Sequence, residues 1–341
     1  MTGGTTSSAI DPASGAWRFP TPFGWRSLII LIVAALVLLR TGADVEIGRV
    51  VLQTGKGVAA SAGLAEESQV ARGFGAILGK MFPPQLAEVT ETARIPGFDR
   101  NRLPLLAHVE MQTVKVQSLD PDTLRMVTST SQREVLVEPV GYLGQVMAKL
   151  VETLEIALWG TLLAVLAGAP LAFFGARNLS PHPALVALSR GIVSLLRAVP
   201  ELISALFLVL AYGFGPAAGV LALALHAAGF LGKFYAEDIE NADPGPQEAL
   251  RAIGANRLEL LRYAILPQVL PQYVAYTFYI LDRNVRMATV IGLVGAGGIG
   301  LELKGRYDLY QYAHVGTILI AIFALVFALD QLSSWLRRRL I

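Results

Sequence analysis

AEDIENADPGPQEALRAIGANRLELLRYAILP, residues 236–267, is a polar island between two apolar runs that are each long enough to cross a membrane. Glu237, Asp238, Glu240 and Asp243 lead into Pro244-Gly245-Pro246, which can only turn the chain or start a helix. A helix over 247–253 is predicted to follow and to stop at Gly254, a C-cap residue. Asn256 is placed to N-cap a second helix, with Glu259 at the position that closes a capping box. That helix runs towards Tyr263 and meets Leu266-Pro267, where the next apolar run begins. The chain is expected to leave the membrane, form two short helices at a fixed angle over 237–264, and return.

The 341 residues are 54% hydrophobic, with a mean hydropathy of +0.54, and only 16% are charged. A soluble domain carries about a quarter charged residues, so with several long apolar runs this is an all-α integral membrane protein. A net charge of +2 says nothing about partners, and nothing points to nucleic acid. With no cysteine there is no disulfide and no thiolate chemistry. The four histidines, His108, His182, His226 and His314, have no metal-ligand spacing. No internal repeat is visible, so a pore that needs two halves must take the second from another copy.

Residues 1–25 are rich in Gly, Ser, Thr and Pro and read as a disordered tail. SLIILIVAALVLL follows at 27–39, short for a span, but Phe23-Gly24-Trp25 extends it and Arg40 can snorkel. It is taken as a retained first span over 26–40 rather than a cleaved signal. Residues 41–144 are expected to form a small mixed domain outside the cytoplasm, helical over 48–81 and with strand-like alternation over 108–116 and 123–140. Five more spans are predicted in 145–341, near 146–174, 185–212, 217–233, 265–294 and 314–335. With the tail in the cytoplasm, Arg18, Arg26, Arg177, the island's Arg251, Arg257 and Arg262, and Arg337 to Arg339 all fall on the cytoplasmic side; Lys304 and Arg306 are the exception. Both termini are therefore expected in the cytoplasm, and Lys233 and Tyr235 are expected to anchor at that interface.

Charges inside spans are costly and face a partner or a cavity. The span at 265–294 holds Asp282, Arg283 and Arg286; Asp282 and Arg286 are four apart and can pair on one helix face. The span at 185–212 holds Arg197 and Glu201 at the same spacing, with Pro200 between them expected to break or kink the helix and free backbone groups for a cavity. Arginines deep in a path favour an oxyanion. Arg197, Pro200, Glu201, His226, Asp282, Arg283 and Arg286 are therefore candidate path residues, with internal salt bridges and histidine packing as the competing reading. GAGGIG at 295–300 fits G-x-G-x-x-G, but no short strand precedes it and no βαβ unit surrounds it. Gly295, Gly297, Gly298 and Gly300 read instead as a compact re-entrant bend at the outer end of a pore.

Glu248-Ala249-Leu250, three residues, Gly254, and then Leu266-Pro267 resemble the EAA loop of ABC importer permeases, with Leu250 in place of the usual Ala. Further blocks at 152–164, 176–181, 196–216, 221–240 and 289–300 are similar to phosphonate-type importer permeases over about 143–341. The resemblance implies a type I importer core with about six transmembrane helices in the plasma (inner) membrane. It implies a homodimer, two cytoplasmic ABC ATPase subunits docked on the loop at Glu248–Pro267, and an extracytoplasmic substrate-binding protein. The cargo implied is a phosphonate, or else phosphate or phosphite. The sequence has no Walker A motif, so ATP and Mg are expected on the partner ATPase, with no cofactor and no catalytic residue on this chain. An ATP-independent anion carrier would show an inverted repeat, and none is visible.

Overall fold

The computed structural model describes residues 25–61, 69–100, 102–104, 106–119 and 126–340. The expected tail, the first residues of the second strand segment, and the side chains of Arg26 and Arg337 to Arg339 lie outside the described residues. The chain divides into two units, 1–76 and 77–341. In the first, α1 (Trp25–Asp44) is one uninterrupted apolar helix, longer than the expected 26–40, and α2 (Ile47–Ser61) follows it. α3 (Gln69–Met81) leads into the second unit.

The second unit opens with a three-stranded antiparallel sheet in the order β1-β3-β2. β1 (Glu88–Glu91) pairs with the end of β3 (Met126–Glu138), with Glu88 opposite Glu138. β2 (His108–Leu119) pairs along the whole of β3, from His108 opposite Val137 to Leu119 opposite Met126. The alternating polar and apolar residues of β2 and β3 made these two strands readable, though not their pairing; the four residues of β1 carry too short a pattern to be seen. Arg133, hydrogen-bonded to Glu91, and the nearby Arg94 hold the Glu91 carboxyl below the usual carboxylate range. The segment before β1 is tied to the helices: Leu143 N–H donates to Leu86 O (3.2 Å), Gln85 N–H to Ala313 O (3.2 Å) and Thr317 Oγ1 to Gln85 O (2.6 Å).

The helical core is built on α4 (Gly141–Gly175) and α7 (Pro216–Asn241). α4 buries Ala157, Gly160, Thr161, Ala164, Gly168 and Ala172, a stripe of small residues at helical spacing. A methyl group at Gly168 would lie 3.1 Å from Leu231 Cβ and 3.2 Å from the backbone N of Gly232, so the two helices meet nearly backbone to backbone. α5 (Pro183–Ala198), α6 (Glu201–Tyr212), α10 (Leu266–Gly292), α11 (Gly298–Asp308) and α12 (Tyr312–Leu340) complete the bundle.

Four helices among the described residues are long and apolar enough to cross a membrane, and α5 with α6 makes a fifth if that pair, bent by 89°, is one span. The remaining expected span, near 265–294, is α10: its 27 residues give it the length, about 40 Å, but Asp282, Arg283 and Arg286 keep it from reading as an apolar helix. The span predicted over 217–233 is also longer than expected. α7 continues to Asn241, so Glu237 to Glu240 belong to the helix rather than to the loop. Arg190 explains why, since its guanidinium pairs with Glu240 at 2.6 Å and Glu240 also accepts from Arg177 N–H at 2.7 Å.

The glycine bend closes the far end of α10. Gly295, Gly297 and Gly298 have φ of +98°, +84° and +69°, in the left-handed region. α4 supplies the missing acceptors at the start of α11: Gly298 N–H donates to Glu152 Oε1 (2.9 Å) and Ile299 N–H to Thr153 Oγ1 (2.8 Å). Gly300 has no room for a side chain, because an added methyl would overlap the carbonyl oxygen of Thr289. Gly300→Ala is therefore expected to destabilise the core by about 1–3 kcal/mol or more, whereas Gly305→Ala, with open space around it, is expected to be neutral. Monodispersity and melting temperature of the two solubilised variants, compared side by side, check this.

Candidate functional site

Two sites matter: the island between α7 and α10, and the charges at the break between α5 and α6. In the island, α8 spans Pro244–Ala252, starting three residues before the predicted Gln247 because Asp243 caps it, its Oδ1 accepting from Gly245 N–H at 2.9 Å. Gly254, at φ +86°, ends it. Ala255 N–H donates to Leu250 O (3.0 Å) and Gly254 N–H to Arg251 O (3.0 Å), the paired bonds of a Schellman cap. Asn256 and Glu259 form the predicted capping box, with Glu259 N–H donating to Asn256 Oδ1 (3.0 Å) and Asn256 N–H to Glu259 Oε2 (2.7 Å).

The expected second short helix does not stand alone. α9 (Arg257–Glu259) passes through a π turn at Leu260–Ile265 straight into α10, so Leu266-Pro267 lies at the start of a continuing helix. The loop proper is thus 242–265, shorter than the expected 237–264. Glu248 and Ala249 are exposed, while Leu250 turns inward onto the core formed by Ile239, Leu260 and Ile265. That inward position explains a large apolar residue at the third place of the triplet. Ile253 stands 80% exposed beside Gly254, an apolar side chain with no cover from the described residues. From behind, the α4–α5 connection braces the loop: Asn178 Nδ2–H donates to Ile239 O (2.8 Å) and Arg251 Nη2–H reaches Asn178 O (3.4 Å).

At the second site, Pro200 does break the helix. Val199, the residue before proline, is forced to extended backbone (φ −87°, ψ 120°), and α6 restarts at Glu201. The break changes who pairs with whom. Arg197 and Glu201 no longer share a helix face; Glu201 takes Arg283 of α10 as its partner instead. His226 of α7 joins them, with Nδ1 at 3.1 Å from Val199 O and Nε2 at 3.3 Å from Glu201 Oε1. Arg197 and Arg283 both lie over the ring of Phe230, at 5.0 and 5.1 Å from its centroid. Arg197 Nε and Arg283 Nη1 are buried and have no hydrogen-bond partner among the described residues.

Arg197 also lines a cavity of about 290 Å³ that runs past Ser189, Arg190, Gly232 and Lys233 to Glu237 and Glu240. The structure thus brings together four of the seven predicted path residues, Arg197, Glu201, His226 and Arg283, around a break made by the fifth, Pro200. It leaves Asp282 and Arg286 paired with each other along α10. Sequence reasoning missed Phe230, although its place four residues after His226, one turn along the same helix, was a usable signal. It also misplaced Tyr235, which is buried and stacked on Tyr273 at 3.9 Å rather than anchored at an interface.

The family described as binding-protein-dependent transport system inner membrane component matches residues 160–341. The chain belongs to this family. A phosphite transport system permease protein of Stutzerimonas stutzeri is 59% identical over 261 residues, covering 76% of this chain and 100% of that protein. A phosphate-import permease protein of Mycolicibacterium smegmatis is 42% identical over 190 residues, 56% of this chain and 36% of that protein. In fold, the chain is similar to the methionine ABC transporter in its inward-facing conformation, with a TM-score of 0.51 at 22% identity, over 57% of this chain and 96% of that one. The chain is thus an ABC importer permease with a type I core.

Asn256→Ala removes half of the capping box in this permease and is expected to cost about 1 kcal/mol, lowering its melting temperature by about 2–4 °C. Thermal unfolding of the solubilised protein followed by tryptophan fluorescence reads the shift.

Proposed function

We propose that this permease carries a phosphorus oxyanion (phosphite, phosphate or an organophosphonate) inward across the plasma membrane as a homodimer. Two cytoplasmic ATPase subunits would drive it from the loop at 242–265, and an extracytoplasmic binding protein would deliver the anion. The observation that carries the cargo reading is the pair Arg197 and Arg283, whose buried Nε and Nη1 donors have no acceptor among the described residues. An unpaired buried donor on a charged group costs more than about 1–3 kcal/mol, and a path that passes an oxyanion gives those donors their acceptor. The names of the relatives agree on the chemistry: phosphite at 59% identity and phosphate at 42%.

The coupling reading rests on the exposed Glu248, Ala249 and Ile253, on a short helix and its C-cap, joined by the corner at Gly254 to α9, which continues into α10. A push on α8 reaches α10, and so Arg283, through the hydrogen-bonded corner at Gly254 and the unbroken helix that follows it. Leu250, Leu266 and Pro267 act in this reading as the seat of the loop, and Gly254 as its corner. ATP and Mg belong to the ATPase partner, and both termini lie in the cytoplasm by the distribution of Arg and Lys. The bend at Gly295, Gly297, Gly298 and Gly300 then lies at the outer end of the path.

Two measurements test the reading. Uptake of labelled phosphate is expected to fall when this chain is deleted and to be competed by excess phosphite and methylphosphonate; no loss of uptake of any of the three anions overturns the cargo assignment. Glu248→Lys is expected to leave the dimer assembled while ATP hydrolysis loses its stimulation by loaded binding protein and transport drops at least tenfold. Normal transport by this variant would remove Glu248 from the coupling contact.

A further inference from the structure

The cluster at the α5–α6 break holds a group that a purely cationic anion path would not need, the carboxylate of Glu201, only 8% exposed. We propose that Glu201 makes this site selective for an oxyanion that keeps an acid proton near neutral pH, as phosphate does and as phosphite and phosphonates do in their monoanionic forms, over one that keeps none, such as sulfate. The proposal rests on the path reading above and names what the path discriminates.

The donors and acceptors of the cluster can be assigned one at a time. Arg283 donates to Glu201. Val199 O is a carbonyl and only accepts, so His226 Nδ1, at 3.1 Å, carries a hydrogen. His226 Nε2 then stands 3.3 Å from Glu201 Oε1, a separation at which two bare acceptors repel and one shared proton attracts. Glu201 is therefore the place in the cluster where a proton is received. Arg197 Nε and Arg283 Nη1 are the opposite, donors without acceptors.

An oxyanion with one O–H matches both halves in hydrogen-bonding character. Its bare oxygens accept from the two guanidinium groups, and its hydroxyl donates to Glu201 in the place of a present partner. Sulfate offers the same bare oxygens to the arginines but sets a lone pair against the carboxylate, with no hydrogen between them. A site built to receive a ligand hydroxyl rejects the analogue that lacks it, because its own buried polar group is left opposed. Phe230 limits the alternatives: its ring lies against both guanidinium groups, so neither can swing away without losing that contact.

The test is equilibrium binding of radiolabelled phosphate and of radiolabelled sulfate to the purified permease–ATPase complex in nanodiscs, without binding protein, at neutral pH. The wild type is expected to prefer phosphate. Glu201→Gln, whose amide also offers a donor, is expected to weaken phosphate binding and strengthen sulfate binding, so that the ratio falls about tenfold or more. Glu201→Asp keeps the acceptor and is expected to keep the preference, while Arg197→Gln is expected to weaken both anions alike. An unchanged ratio in Glu201→Gln, or a preference lost in an assembled Glu201→Asp, overturns the selectivity role; if Arg197→Gln still weakens both anions, the path reading survives it. Binding of neither anion by the wild type, together with unaltered cellular phosphate uptake in Arg197→Gln, overturns the path reading and this proposal with it.

Discussion

Backbone that leaves the helix inside a membrane bundle must find its hydrogen-bond partners in protein, because lipid supplies none. This constraint organises the permease core. The chain leaves helix at two places in the bundle, between α5 and α6 and between α10 and α11, and side chains from neighbouring helices meet the freed backbone at each. His226 of α7 takes the carbonyl of Val199. Glu152 and Thr153 of α4 take the first N–H groups of α11. α4 and α7 can do this because they are themselves held at close range by small residues along their shared seam.

The same two helices therefore serve packing and the site together. His226 is a packing histidine in the sense that it satisfies a carbonyl, and a site residue in the sense that its other nitrogen faces Glu201. The two readings weighed for it in the sequence concern different ring nitrogens. The paired charges on α10 separate in the opposite way. Asp282 and Arg286 neutralise each other along one helix, whereas Arg283 reaches across to α6 and is the one that joins the buried cluster.

Much of the island was legible because its signals are local. The Schellman glycine at Gly254 and the capping box of Asn256 and Glu259 span only a few residues, and both stand as read. The proline break at Pro200 was legible for the same reason. What was not legible depends on partners far along the chain. Glu240 stays helical because Arg190, fifty residues earlier, pairs with it, and Glu201 turns from Arg197 to Arg283, eighty-two residues away. No sequence window contains either pair. The segment between the first span and the core was legible as two strands and opaque in its purpose, and β1, four residues long, shows itself only by pairing with β3.

The π turn at Leu260–Ile265 has a geometric consequence beyond its length. A π turn carries one more residue than the α-helical turn it replaces, and each residue advances an α-helix by about 100° about its axis. Every side chain of α10 is therefore phased by that one inserted residue relative to the loop that precedes it. Arg283 looks toward α6, and Asp282 and Arg286 look elsewhere, on a helix that was clocked by a fraction of a turn about twenty residues earlier. The azimuth of the site is set at the loop.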